Sequence, residues 1–147
     1  MFGRMRTKFG IVGMLFFKFC LAEQGVLLLN SWTFNKTIQA FPFSLVKFDK
    51  KSPSDPKHQV FQELAQDLIK TENILLAEVR IAGYGSPENH DLSEMFGLSQ
   101  GILPEFILFK RKAINGKNYD HEITRYGGQV DVDNLRRFLK LKTGEEL

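Results

Sequence analysis

Apolar positions along the chain change period several times, and the changes mark out the elements. Residues 25–30 form a short apolar run that predicts a buried strand, and 33–40 predict a helix with Phe34 and Ile38 on one face. Residues 44–49 (Ser-Leu-Val-Lys-Phe-Asp) predict a second strand. In 60–69, Phe61, Leu64, Ala65 and Leu68 recur at helical spacing. Residues 74–81 are apolar on both faces at their start, as a central strand of a parallel sheet requires. A loop at 82–87 precedes a short helix, 89–96, stopped near Gly97. Leu103-Pro104 introduces a strand at 106–109; 110–117, holding Asn115-Gly116, reads as a hairpin turn; and 121–126 is the return strand. Val132, Leu135, Phe138 and Leu139 give 130–141 the apolar side of a closing helix. The order is βαβαβ followed by αββα. The alternating half implies parallel strands with helices on both faces, and the hairpin adds antiparallel ones.

The first residues follow a different rule. Arg4, Arg6 and Lys8 precede an apolar stretch, 9–21, broken only by Lys18, and Cys20-Leu21-Ala22 supplies small residues at the −3 and −1 positions. This is the pattern of a secretory signal peptide spanning 1–22, cut between Ala22 and Glu23. The competing reading is an uncleaved membrane anchor, but the run is shorter than the roughly 20 residues that span a bilayer. Cleavage would change the charge of the chain. It takes away four of the 20 basic residues and none of the 17 acids, turning a net charge of +3 into about −1. The basicity therefore belongs to the leader and gives no ground for nucleic-acid binding. Lys110-Arg111-Lys112 and Arg136-Arg137 read as solvated turn and helix faces. Cys20, the single cysteine, leaves with the leader, so the mature chain has no thiol with which to form or exchange a disulfide.

Few residues suggest chemistry. Ser52, Asp55 and His58 are the residue types of a hydrolase triad, but they share one turn, whereas triads are assembled from separate elements. Asp55-Pro56 reads as an N-cap followed by a first-turn proline. His58, His90 and His121 follow no metal-ligand spacing, so no metal and no cofactor is expected. Asn35-Lys36-Thr37 is an N-glycosylation sequon at Asn35, inside a predicted helix. The last residues, 143–147, end in Gly-Glu-Glu-Leu and resemble a degenerate endoplasmic-reticulum retrieval signal.

A proline ahead of the strand at 106–109, with the hairpin after it, resembles the cis-proline position of thioredoxins and protein disulfide isomerases. Tyr126-Gly127, Asp133, Leu135 and Phe138-Leu139 resemble the end of an isomerase domain. A narrower resemblance covers residues 25–140. Leu29, Thr33-Phe34, Lys36, Ile38, Val46-Lys47-Phe48-Asp49, Pro53, Lys57-His58, Leu76-Ala77-Glu78-Val79, Tyr84-Gly85, Asn89 and Leu92-Ser93-Glu94 carry it. They resemble the redox-inactive chaperone family of the endoplasmic reticulum that contains Windbeutel and endoplasmic reticulum protein twenty-nine.

That resemblance implies an α/β thioredoxin-like fold over 23–142, a central mixed sheet flanked by helices. It further implies a non-catalytic escort that binds secretory client proteins in the lumen, forms a homodimer, and needs neither nucleic acid nor, once its leader is cut, a membrane. Secretion is the alternative location. By the same resemblance Asp49 is a dimer-interface candidate, Pro104 a cis-proline candidate, and Ser52, Pro53, Ser54, Asp55 and Lys57 a candidate peptide-contact loop. Ser52 and Ser54 stand where the family carries tyrosines, and no Cys-x-x-Cys pair opens the following helix. Two other functional readings remain open at this stage. One is an enzyme on this scaffold with a non-cysteine site; the other is a truncated domain that retains only self-association.

Overall fold

The computed structural model describes residues 22–23, 25–51, 55–83, 87–115 and 118–147. The leader up to Leu21, the contact-loop residues Ser52, Pro53 and Ser54, the Tyr84-Gly85 pair and the hairpin glycine Gly116 lie outside them. Strands β1 (Ala22–Glu23), β2 (Val26–Leu29), β3 (Phe43–Lys50), β4 (Ile74–Ile81), β5 (Glu105–Asn115) and β6 (Asn118–Arg125) form one sheet in the order β1-β2-β4-β3-β5-β6. Strands β2, β4 and β3 are mutually parallel; β1 against β2, β5 against β3 and β6 against β5 are antiparallel. The helices are α1 (Phe34–Gln39), α2 (Pro56–Asp67), α3 (His90–Met95) and α4 (Val132–Thr143), with a 3₁₀ turn at Gln100–Ile102. No helix among the described residues is long and apolar enough to cross a membrane.

Strand β4 lies between β2 and β3, so the chain passes over it through α1 and returns through α2. Both crossovers are right-handed by the general rule, which puts the two helices on opposite faces of the sheet. The core divides accordingly. Phe34 and Ile38 of α1 and Leu92 of α3 pack with Val46, Phe48, Val79, Ile107 and Phe109 on one face. Phe61, Leu64 and Leu68 pack with Leu135 and Leu139 of α4 against Leu45, Leu76, Phe106 and Leu108 on the other. The first face is largely aromatic. The Phe34 ring lies 6.1, 5.7 and 5.5 Å from those of Phe48, Phe96 and Phe109, the last two edge-on. Strands β3 and β4 have helices over both sides, which is why they carry apolar residues without alternation.

Three expectations shift. The hairpin is much longer than its apolar stretch, because β5 runs on to Asn115 where 110–117 had read as a turn. Past Phe109 the hairpin keeps contact with the end of α1, where Arg111 Nη1 donates to the Gln39 carbonyl at 2.8 Å, and cross-strand pairs hold the rest. Lys110 is opposite Glu122 and Lys112 opposite Asp120, while Lys112 Nζ reaches Glu122 Oε2 at 2.9 Å. That hydrogen bond and the Lys112 charge hold the Glu122 carboxyl below its ordinary value. Arg111 stacks over Tyr119, 4.5 Å from the ring centre. Second, α2 begins at Pro56, a full turn before its apolar periodicity. Third, Ala22 and Glu23 pair with Leu27 and Val26, so the cut expected after Ala22 falls within a strand.

The residues before α4 form a tight corner. Tyr126 donates its hydroxyl to the Gln129 carbonyl, and its ring meets Phe138 edge-on at 5.0 Å. Burial, and next the Asp131 charge, push the Tyr126 phenol above its ordinary value. A Cβ on Gly128 would lie 2.7 Å from the Tyr126 hydroxyl and 2.9 Å from ring carbon Cζ. Gly128→Ala is therefore expected to displace the ring and cost about 1–3 kcal/mol, the usual penalty of overpacking. Urea denaturation checks this; an unchanged midpoint would contradict it. Past α4, Gly144 closes the helix with φ 74°. Asn73 Nδ2 donates to Glu145 Oε1 at 2.7 Å, and Leu147 packs on the α2–α4 side of the core, so residues 144–147 lie against the domain.

Candidate functional site

Neighbouring parallel strands put residues of equal register side by side. Lys47 of β3 lies opposite Glu78 of β4, and Asp49 opposite Arg80. All four share the sheet face that α2 covers, at the carboxyl ends of the strands, where open α/β sheets hold their ligands. Lys47, Asp49 and Glu78 are the buried charged side chains among the described residues, with 0%, 2% and 3% of their surface exposed. His58, in the first turn of α2, closes the group from above. The Asp55 side chain accepts from the Lys57 amide at 2.8 Å and caps that turn, and Pro56 occupies its first position.

The Lys47 ammonium is the centre of this cluster. It lies 2.6 Å from His58 Nδ1, 2.8 Å from Asp49 Oδ2 and 3.1 Å from Glu78 Oε2. It donates to Glu78, faces the His58 ring nitrogen, and pairs with Asp49 by charge, Asp49 Oδ2 having no hydrogen-bond partner among the described residues. Glu78 turns its other oxygen to Arg80 Nη2 at 3.3 Å, and Asp49 accepts from the Lys50 amide at 2.7 Å. Asp49, His58 and Glu78 would make a plausible metal-ligand set, their donor atoms all within 4.8 Å of one another. Lys47 already supplies the cation between them. The arrangement neutralises buried charge and ties the start of α2 to two central strands.

The residues singled out from sequence are only partly gathered here. Asp49 is in the cluster with its carboxylate turned inward onto Lys47, so it presents no charge to a partner. Asp55 and Lys57 flank the cluster at the start of α2. Strand β5 begins at Glu105 opposite Phe48, which brings Pro104 beside the end of β3, and the Leu103–Pro104 peptide is cis. Asn35 is on the exposed side of α1, on the opposite face of the sheet, and His90 and His121 lie outside the cluster. Sequence reasoning missed Lys47, His58 and Glu78 as a set. The signal was present: a lone lysine in Leu45-Val46-Lys47-Phe48 and a lone glutamate in Leu75-Leu76-Ala77-Glu78-Val79. Charges inside central strands have to find one another.

A second feature opens beside the cluster. Asn30, Ser31 and Trp32 face Pro87, Glu88 and Asn89 across a crevice of 430 Å³. Asn89 joins its two walls, accepting from the Ser31 amide at 3.0 Å and donating to the Arg80 carbonyl at 2.7 Å. Trp32 stands 92% exposed at its rim.

Residues 21–147 match the family described as ERp29, N-terminal domain. The chain belongs to that family. It is 33% identical over 122 residues to protein windbeutel of Drosophila melanogaster, a match that takes in 81% of this chain and 45% of that protein. The chain thus spans less than half the length of that relative. Among solved structures it is similar to the J-Trx1 fragment of ERdj5 (TM-score 0.62, 15% identity, 82% of this chain and 53% of the other). It is also similar to the first thioredoxin domain of mouse protein disulfide-isomerase A4 (0.61, 16%, 81% and 76%) and to human ERp44 (0.62, 19%, 80% and 29%). At these identities the likeness concerns the fold, which is thioredoxin-like. Within the ERp29 N-terminal family, this member joins β3 to α2 through 51–55 without a cysteine.

Proposed function

We propose that this ERp29-family domain is a non-catalytic escort of the endoplasmic reticulum lumen that holds secretory client proteins by non-covalent contact. One observation carries the reading. The junction between β3 and α2 contains no cysteine, and the buried charged groups Lys47, Asp49 and Glu78, with His58 of α2, are turned toward one another. Thiol–disulfide exchange needs a thiolate at the site, and the chain's one cysteine is Cys20. Membership of the ERp29 family and the signal-peptide pattern of 1–22 support the lumenal location, and the Gly-Glu-Glu-Leu sequence agrees with it. The candidate client surface is the loop Ser52, Pro53, Ser54, Asp55 and Lys57, together with the cis-proline, Pro104. Homodimerisation belongs to the same proposal. Asp49 would serve it indirectly, by holding Lys47 and the end of β3 in place.

Insulin reduction by dithiothreitol tests the absence of exchange. The protein is expected to leave the onset of turbidity where the uncatalysed reaction puts it. Acceleration that persists in a Cys20→Ser variant would overturn the proposal. Sedimentation velocity at micromolar concentration tests the homodimer, for which a monomeric boundary is the contrary result.

A further inference from the structure

Three observations on α1 and the turn that leads into it have no account in the fold or in the client-binding reading. The first is Trp32, the only tryptophan of the chain, 92% exposed. The second is Thr37, on the buried side of α1 beside Phe34 and Ile38 with 5% of its surface exposed. Its hydroxyl has no hydrogen-bond partner among the described residues. A valine would fill nearly the same space without a buried, unsatisfied oxygen, so the fold gives no reason for a hydroxyl there. The third is Asn35, which faces solvent from the same short helix as Thr37.

One function explains all three. Asn35-Lys36-Thr37 is an acceptor sequon, and its hydroxyl residue is required by the glycosylation reaction, not by the fold. We propose that Asn35 carries an N-linked glycan whose first sugar packs on the face of Trp32. The helical turn already begins at Asn30, whose carbonyl accepts from the amides of Thr33 at 3.1 Å and Phe34 at 2.9 Å. The Trp32 amide is held by the Asn30 side chain at 2.9 Å. Trp32 lies in the turn that leads into α1, one residue before its N-cap Thr33 and three before Asn35. The apolar C–H face of a sugar is suited to the electron-rich face of an indole. The glycan comes from a lipid-diphosphate-linked oligosaccharide. The Asn35 side-chain nitrogen forms a bond to the first sugar's C1, the C1–O bond to the diphosphate breaks, and the amide gives up one proton to solvent. Since folding buries the Thr37 hydroxyl, transfer takes place on the unfolded chain as it enters the lumen. The inference rests on the lumenal reading above.

The test is translation of the full chain with endoplasmic-reticulum microsomes, followed by purification of the glycoprotein from secretory cells. The expected product is protease-protected and shifted in mobility. The shift is removed by peptide-N-glycosidase, absent in Asn35→Gln and Thr37→Val, and retained in Thr37→Ser. Because Trp32 is the only tryptophan, fluorescence reports on it directly. Removing the glycan should move its emission to longer wavelength and increase quenching by iodide. A protected but unshifted chain would overturn the inference while leaving the lumenal location intact, and an unprotected chain would overturn both. A glycosylated chain whose tryptophan emission is indifferent to the enzyme would overturn the packing on Trp32. The unglycosylated Thr37→Val protein should melt no lower than wild type; a lower melting temperature would assign the hydroxyl a structural role instead.

Discussion

Lys47→Met is expected to destabilise the domain by about 3–5 kcal/mol, the range for breaking a buried ion pair by removing one partner. The methionine fits the space of the lysine stem, so the loss is electrostatic. Asp49 and Glu78 would be left facing each other at 2% and 3% exposure without the ammonium that lies within 3.1 Å of both. Arg80 meets the far oxygen of Glu78 at 3.3 Å, on the side away from Lys47. Urea denaturation of the variant measures the loss. The companion variant Lys47→Met/Asp49→Asn/Glu78→Gln removes the charges together and should recover much of the stability, because a missing pair costs far less than an orphaned charge. A single variant within about 1 kcal/mol of wild type, the range of an exposed pair, would mean that the cluster is not the electrostatic centre described.

Phe34→Ala should cost a similar amount, about 3–5 kcal/mol, through the cavity it leaves. Phe34 is 1% exposed and is the ring of α1 that meets Phe48, Phe96 and Phe109 together. With only six residues, α1 has little stability of its own and depends on that docking. The loss should appear in two places, global unfolding in urea and faster amide exchange in residues 34–39. Phe34→Leu keeps most of the volume and should lose less than half as much. Equal losses for alanine and leucine would show that ring packing does not determine the effect.

These two residues also show how far the sequence could be read. Phe34 was legible because its spacing to Ile38 is the helical period, and a pattern of that kind survives without knowledge of the rest of the fold. The same holds for the central strand β4, whose start at 74–77 announces burial on both sides by an unbroken apolar run. Lys47 was visible as an anomaly within such a run, but its meaning depends on register. Only the pairing of Lys47 with Glu78, and the arrival of His58 one turn into α2, turns three separated residues into a site. Asp49 illustrates the same limit. Its place in a family motif suggested an interface, whereas register and burial aim it at Lys47. Strand β5 was read short because Asn115-Gly116 was taken to mark a turn reaching back to Lys110, whereas β5 stays paired with β6 as far as Asn115. The start of α2 shows the opposite case: Asp55-Pro56 signalled the cap while the apolar periodicity began a turn later.

The central claim is that the domain holds clients without thiol chemistry, and aggregation of an unfolded secretory protein tests it most directly. Light scattering would be followed for a heat-unfolded client, alone and with the full chain at equimolar and higher ratios, before and after N-ethylmaleimide treatment. The account predicts suppression that rises with the ratio and is indifferent to alkylation, because no cysteine lies at the β3–α2 junction. Scattering unchanged by the protein, or suppression abolished by alkylation, would contradict it.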